Sequence, residues 1–192
     1  SAKSSILERY KNNEFNINKF STIGVDFYST TIKKESNQKE YNLFIWDTSG
    51  QEKFNSIVSS YYRNIAVAII VFDISNFKSF KNLKTWIDTL YHYCNKNILL
   101  KIVGNKSDIK DREIPKTNIL KFCNEYGIDY FETSAKYNIN ITELFDNIIE
   151  DIDEKIKLGL LKPNESLGLN KIDQFIIKEP YSYKPNKCCI IL

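Results

Sequence analysis

The 192-residue chain contains no methionine, so it lacks even the residue with which translation begins, and the true start of the protein is expected upstream of Ser1. It has no hydrophobic run long enough to span a bilayer and no charged start followed by an apolar stretch, which leaves a transmembrane anchor and a secretory leader unsupported. A strong charge of either sign is also missing. With 27 basic and 24 acidic residues the net charge is +3, too small to set up a global field toward nucleic acid or lipid. Of the four cysteines, Cys94 and Cys123 lie far apart in segments of helical periodicity, and Cys188 and Cys189 are adjacent near the end. That distribution fits neither a disulfide framework nor metal-ligand spacing. Cys94 and Cys123 read as small buried apolar residues. Internal repeats are absent. What remains is a chain with 42% hydrophobic residues, enough for one well-cored domain in a cytosolic setting.

Two periodicities alternate along it, as in an α/β domain with a mainly parallel sheet. A helix opened by Ser4 and Ser5 continues through Ile6 to Tyr10. Val25 to Lys34 and Tyr41 to Asp47 read as a strand hairpin around the polar loop Glu35 to Glu40, adding one antiparallel edge. AVAIIVFD at Ala66 to Asp73 and LLKIVG at Leu99 to Gly104 are apolar runs too short for buried helices, and so read as central parallel strands. Ser79 to Tyr93 places Phe80, Leu83, Trp86, Ile87, Leu90 and Tyr91 on one helical face. A helix at Lys116 to Tyr126, a strand at Asp129 to Thr133 and a helix at Ile141 to Ile156 complete the pattern. Beyond Lys157, Gly159, Pro163, Gly168, Pro180 and Pro185 break any period. The expected division is a domain over 1–156, a flexible tail over 157–187 and the motif CCIIL at 188–192.

Four short signatures follow one another in order: KS at Lys3 and Ser4, DTSGQ at Asp47 to Gln51, NKSD at Asn105 to Asp108, and TSAK at Thr133 to Lys136. Each is read at the end of a strand, where open α/β sheets bind ligands, the strand before KS lying ahead of this chain. Asp108 can accept both the N1 and N2 protons of guanine, which adenine does not supply, and a buried carboxylate left unpaired is costly. TSAK would offer the Ala135 amide to guanine O6 and the Lys136 stem to the face of the base, while Lys106 covers the other face. Asp47 is suited to hold Mg²⁺ through water, and the Gly50 amide to approach a γ-phosphate because no Cβ intervenes. Gln51 would orient the attacking water. Lys3 and Ser4 match the last two positions of G-x-x-x-x-G-K-[ST], in which the Lys pairs the β- and γ-phosphates and the hydroxyl ligates Mg²⁺. Ala2 stands at the second glycine of that motif, where its methyl would crowd a backbone meant to lie against the β-phosphate. Taken singly, NKSD also reads as a polar turn and DTSGQ as a tight Asp-capped turn.

With these motifs in place, the sequence resembles the Rab branch of the Ras superfamily across nearly all of Lys3 to Ile156. STIGVDF at Ser21 to Phe27, FIWDTSGQEKF at Phe44 to Phe54 and SSYYR at Ser59 to Arg63 carry the likeness. Ser49, Asn64 and the long loop at Glu35 to Glu40 depart from the family's pattern. The resemblance implies a P-loop NTPase-like, doubly wound, mainly parallel sheet with one antiparallel edge strand and flanking helices, its first strand lying ahead of this chain. It implies GTP or GDP as bound nucleotide, Mg²⁺ held by Ser4, Thr22 and Asp47, and Phe15 packed on the guanine. Ser5 and Ser134 join the nucleotide site, and Phe27, Trp46 and Tyr61 form a triad that effectors read. By residue type alone those aromatics also read as core. Further implied partners are an exchange factor, an activating protein that supplies an arginine, and a prenyl-dependent escort. A monomer that does not bind nucleic acid is expected.

The chain ends in CCIIL, so Cys189 opens a C-a-a-X box with Leu at X, which favours geranylgeranyl. The resemblance implies lipid on Cys188 as well, and two chains hold a membrane where one holds marginally. The functional expectation is a GTP-hydrolysing switch of vesicle traffic, peripheral on the cytosolic face of an intracellular membrane. The alternative is a non-catalytic interaction module that keeps the fold and has lost nucleotide binding.

Overall fold

The computed structural model describes residues 2–17, 22, 24–34, 39–49, 62, 65–94 and 97–161, and the backbone of 186–191. In chain order the elements are α1 (Ala2–Asn12), β1 (Val25–Lys34), β2 (Lys39–Thr48), β3 (Val67–Asp73), α2 (Phe77–Lys81), α3 (Leu83–Tyr93), β4 (Leu99–Asn105), α4 (Lys116–Tyr126), β5 (Asp129–Thr133), α5 (Ile141–Lys157) and β6 (Asn186–Ile191). They build a six-stranded sheet of order β1-β2-β6-β3-β4-β5. The β1–β2 pair is antiparallel and every other pairing is parallel, which is the expected α/β architecture with one antiparallel edge.

Alternation along β3 shows why both faces are covered. Val67 and Ile69 pack with Ile6 and Leu7 of α1 and Ile148 and Ile152 of α5. Ala68, Ile70 and Phe72 pack with Leu83 and Ile87 of α3 and Ile119 of α4 on the other side. Successive strand residues point to opposite faces, so an unbroken apolar run serves two helical layers. Each fully buried Ile or Leu contributes about 1.5–3 kcal/mol of transfer free energy. Tyr10 stacks on Phe145 with ring centroids 3.8 Å apart, fastening α1 to α5.

Polar side chains in this interior are paired. Asp153, 1% exposed on α5, accepts a hydrogen bond from Tyr41 Oη at 2.6 Å and faces Lys157 at 2.9 Å and Lys39 at 3.1 Å. The β1–β2 hairpin is thereby pinned to α5. Cys123 is buried and Cys94 half-buried, both free thiols that burial pushes up to about 11.

Besides α1 beginning at Ala2 and β2 at Lys39, inside the expected loop, the structure differs from the sequence reading at two larger places. The single helix expected over 79–93 is two, because Asn82 ends α2 with its N–H on the Lys78 carbonyl at 3.2 Å and begins α3 by accepting from the Trp86 amide at 3.2 Å. The start also moves to Phe77, since the Asn76 side chain accepts from the Ser79 amide at 3.2 Å as an N-cap. The second difference lies beyond Lys157, where no element was expected. Asn186–Ile191 runs parallel between β2 and β3, with Tyr41 opposite Asn186, Trp46 opposite Ile191 and Val67 opposite Ile190. A strand edge inside a sheet must have its N–H and C=O groups paired, and this short apolar segment pairs them. Residues 162–185 lie outside the described ones.

Candidate nucleotide site

Parallel register brings two of the motifs together. Asn105 at the end of β4 lies opposite Thr133 at the end of β5, and Asp73 at the end of β3 lies opposite Asn105. Asn105 is 2% exposed, and its Oδ1 accepts from Thr133 Oγ1 and from the Ala135 amide, each at 3.2 Å. The Ser134 hydroxyl donates to Asp108 Oδ1 at 2.5 Å, and the Ser107 amide to the Thr133 carbonyl at 3.0 Å. NKSD and TSAK are thus one cross-bonded unit. It lines a cavity of about 470 Å³ with Ala2, Ser5, Phe15, Lys106, Asp108, Ala135 and Lys136.

Lys106 holds a left-handed backbone at φ 69°, uncommon for a residue with a Cβ, and its ammonium pairs with Asp73 Oδ2 at 2.5 Å. Burial pushes the Asp73 carboxyl upward, but hydrogen bonds from Lys106 and Ser75 outweigh it and hold the group below the usual carboxylate range. The Lys136 ammonium lies 4.9 Å from the Tyr137 ring centroid. Two residues that the sequence reading missed support this end. Asp73 carried a usable signal, a carboxylate closing an apolar strand at the same sheet edge as Asp47 and Asn105. Gly104 carried none: a Cβ there would meet Tyr130 Oη at 2.5 Å, Ile74 Cγ2 at 3.0 Å and the Phe72 ring at 3.1 Å. That hydroxyl in turn donates to Glu132, which also accepts from Arg112.

Next to Ser5, which lines this cavity, Ser4 joins a second cluster in which three oxygens from distant segments meet. Ser4 Oγ donates to Asp47 Oδ2 and lies 2.8 Å from Thr22 Oγ1, while Thr22 Oγ1 lies 3.4 Å from Asp47 Oδ2. Ser4 and Asp47 are buried. Hydroxyl and carboxylate oxygens are the hard donors that Mg²⁺ takes. The chemistry of the set therefore fits that cation, which Ser4 and Thr22 would hold directly and Asp47 through water. Among the described residues there is no cluster of three or more His, Cys, Asp or Glu that would serve a different metal. Burial lowers the Lys3 ammonium from its ordinary value, and the nearby Asp47 charge offsets part of that. Lys3 lines a separate cavity of about 200 Å³ with Ser49, Tyr62 and Trp86.

Phe27 and Trp46 are direct cross-strand partners with centroids 4.6 Å apart, and Phe27 is 46% exposed rather than core. Gly50, Gln51 and Tyr61 lie outside the described residues, as do the side chains of Cys188 and Cys189. No helix among the described residues is long and apolar enough to cross a membrane.

A mainly parallel, doubly wound sheet with its motif residues gathered at the carboxyl ends of the strands defines a nucleotide-binding α/β protein. Comparison with known proteins sharpens this. The Ras family's model matches residues 1–154. Ras-related protein Rab-10 of Diplobatis ommata is 40% identical over 154 residues, which is 80% of this chain and 76% of that protein. Ras-related protein Rab-8A of Bos taurus is 40% identical over 170 residues, 88% and 81% of the two chains. The chain belongs to the Ras family, in its Rab branch. It is a small GTPase, a switch of membrane traffic from a family that binds guanine nucleotide and Mg²⁺ and meets exchange factors, activators and effectors. Nothing in these comparisons favours the non-catalytic alternative.

Proposed function

We propose that the cleft between NKSD and TSAK takes the guanine of GDP or GTP, with Asp108 accepting from N1 and N2, the Ala135 amide serving O6, and Phe15, Lys106 and Lys136 covering the faces of the base. The observation that carries this reading is that the cavity lined by Asn105, Asp108 and Ala135 also takes in Ser5 of α1, whose neighbour Ser4 meets the Thr22 and Asp47 oxygens. The oxygen cluster suits a phosphate-bound cation, the cavity a guanine. When present, Mg²⁺ would neutralise phosphate charge there. Lys3 and the Gly50 amide contact the phosphates, and Gln51 orients the hydrolytic water. No arginine belongs to these motifs, so an activating protein supplies the one that raises the rate by about 10³–10⁵. The segments 21–27 and 47–62 order around the γ-phosphate, and Phe27, Trp46 and Tyr61 present that state to effectors.

The domain over 1–156 is followed by a tail over 157–187 and the CCIIL end, where geranylgeranyl on Cys188 and Cys189 gives peripheral attachment to the cytosolic face of a membrane in a state in which 186–191 has left its place between β2 and β3. Two lipids are needed because one holds marginally. An escort protein covers them in transit. Competition binding of GDP, GTP, ADP and ATP, with Mg²⁺ and with chelator, tests the site. Guanine nucleotides should bind at least about 100-fold more tightly than adenine nucleotides, and more tightly with Mg²⁺. Equal affinity for ADP and GDP would falsify it. Membrane sedimentation in 1 M salt of a variant with Cys188 and Cys189 both replaced by Ser tests the anchor: persistence on the membrane rejects it.

A further inference from the structure

Asp73 belongs to none of the four motifs, yet it lines the same cavity as Phe15, Lys106 and Asp108. It closes β3 directly opposite Asn105, so Asp73 and Lys106 leave the sheet at adjacent strand ends. Lys106 then turns back at φ 69°, its carbonyl accepting from the Ile109 amide at 3.0 Å, in a tight turn that also contains Asp108. From that turn its ammonium reaches Asp73 Oδ2 at 2.5 Å.

An ion pair with a half-exposed partner usually contributes little, because two flexible side chains must be ordered to form it. Here the anion is ordered beforehand. Asp73 Oδ1 accepts from the Ser75 amide at 2.9 Å and from the Ser75 hydroxyl at 2.6 Å, and the Asp73 amide donates to Ser79 Oγ at 3.0 Å. Only the lysine is left to immobilise, and tethering its tip restricts the whole flexible stem. We infer that Asp73 is a positioning residue for the base: it holds the Lys106 stem at the cavity, so that a purine packs on a side chain already in place instead of ordering it on arrival. This rests on the guanine reading above and adds the anchor that lets Lys106 serve as a cover for the base.

Competition binding of GDP, inosine diphosphate and ADP to the chain and its variants tests this. Asp73→Asn should lower GDP affinity about fivefold, the scale of ordering one rotamer-rich side chain on binding. In a Lys106→Met background, which keeps an unbranched stem but has no ammonium to anchor, the same change should lower it by less than about twofold. The preference for GDP over inosine diphosphate, which lacks the 2-amino group read by Asp108, should stay within about twofold throughout, because a cover on the face of a base does not read its edge. Asp73→Ala carries the same cycle if the asparagine variant does not fold. A purely structural role for Asp73 at the strand end would lower affinity equally in both backgrounds, and that result overturns the inference. Unchanged GDP affinity in Asp73→Asn, or a collapse of the preference for GDP over inosine diphosphate, overturns it too. A wild-type chain with no preference for GDP over ADP sinks the guanine reading instead, an outcome distinct from intact selectivity with equal losses in both backgrounds.

Discussion

The two halves of the candidate site are built differently. At the base end, Asn105, Thr133, Ser134, Ala135 and Asp108 sit on neighbouring strand ends in one parallel register and are joined by hydrogen bonds of 2.5–3.2 Å. At the phosphate end, Ser4, Thr22 and Asp47 come from the start of a helix, a connecting segment and the end of a strand, and meet through side-chain oxygens. Sheet register is a property of the whole core, so the base end keeps its shape without a ligand. Side-chain contacts between separate segments open at lower free-energy cost. On the proposed reading, selectivity belongs to the register-held half and switching to the half that an anion and a cation complete.

The sharpest way to break this division is Asp108→Asn. Two charge-assisted hydrogen bonds at about 1.5–3 kcal/mol each would be lost, so GDP affinity should fall about 10²–10⁴-fold while xanthosine diphosphate gains, because the amide can donate to the xanthine oxygen. Unchanged GDP affinity in competition binding would remove guanine recognition from this half.

Asp47→Ala probes the other half. The tightening of GDP by Mg²⁺ should drop about 10–100-fold, a loss on the scale seen when metal sites are damaged, with the preference for GDP over ADP retained. Loss of that preference would show that the two ends do not act separately.

Gly104→Ala tests how far rigidity underlies selectivity. Its methyl would overlap Tyr130 Oη, which is held by Glu132, and overpacking of this kind costs about 1–3 kcal/mol in urea unfolding. Adding Tyr130→Phe removes the clashing oxygen and should recover part of the loss. Full stability of the single variant would mean that the strand end is softer than its contacts imply.

The smallest effect concerns Asp73. Its carboxyl is held below the usual value in the folded state, so it contributes stability above the unfolded value of about 3.9, and that contribution is lost as pH falls through the lower folded value. Its partner Lys106 is about half exposed, so Asp73→Asn should cost no more than about 1 kcal/mol at pH 7. Unfolding curves of wild type and variant should converge in acid, and a gap that stays constant down to pH 2 would assign the loss to packing instead.

How much of this was legible in the residues themselves differs by element. Val25–Lys34, Lys116–Tyr126 and Asp129–Thr133 coincide with their sequence reading residue for residue, because apolar period and β-branched content are local signals. Asn82 was not legible as a break, since the apolar face runs unbroken through it and only the backbone turn separates α2 from α3. The C-terminal strand was equally opaque, its pairing depending on what β2 and β3 leave open.

The sequence by itself determined the alternation of strands and helices, the covering of both sheet faces, the order of the four motifs and the chemistry of their side chains. All of these are written in residue type and spacing over a few turns. Tertiary structure alone decided that Asn105 lies beside Thr133, that Ser4 reaches Asp47, that Asp73 holds Lys106, and that Arg9 grips carbonyls 126 and 127 residues away. Such neighbours follow from strand register and helix packing, which the buried core sets cooperatively and no local window of sequence contains.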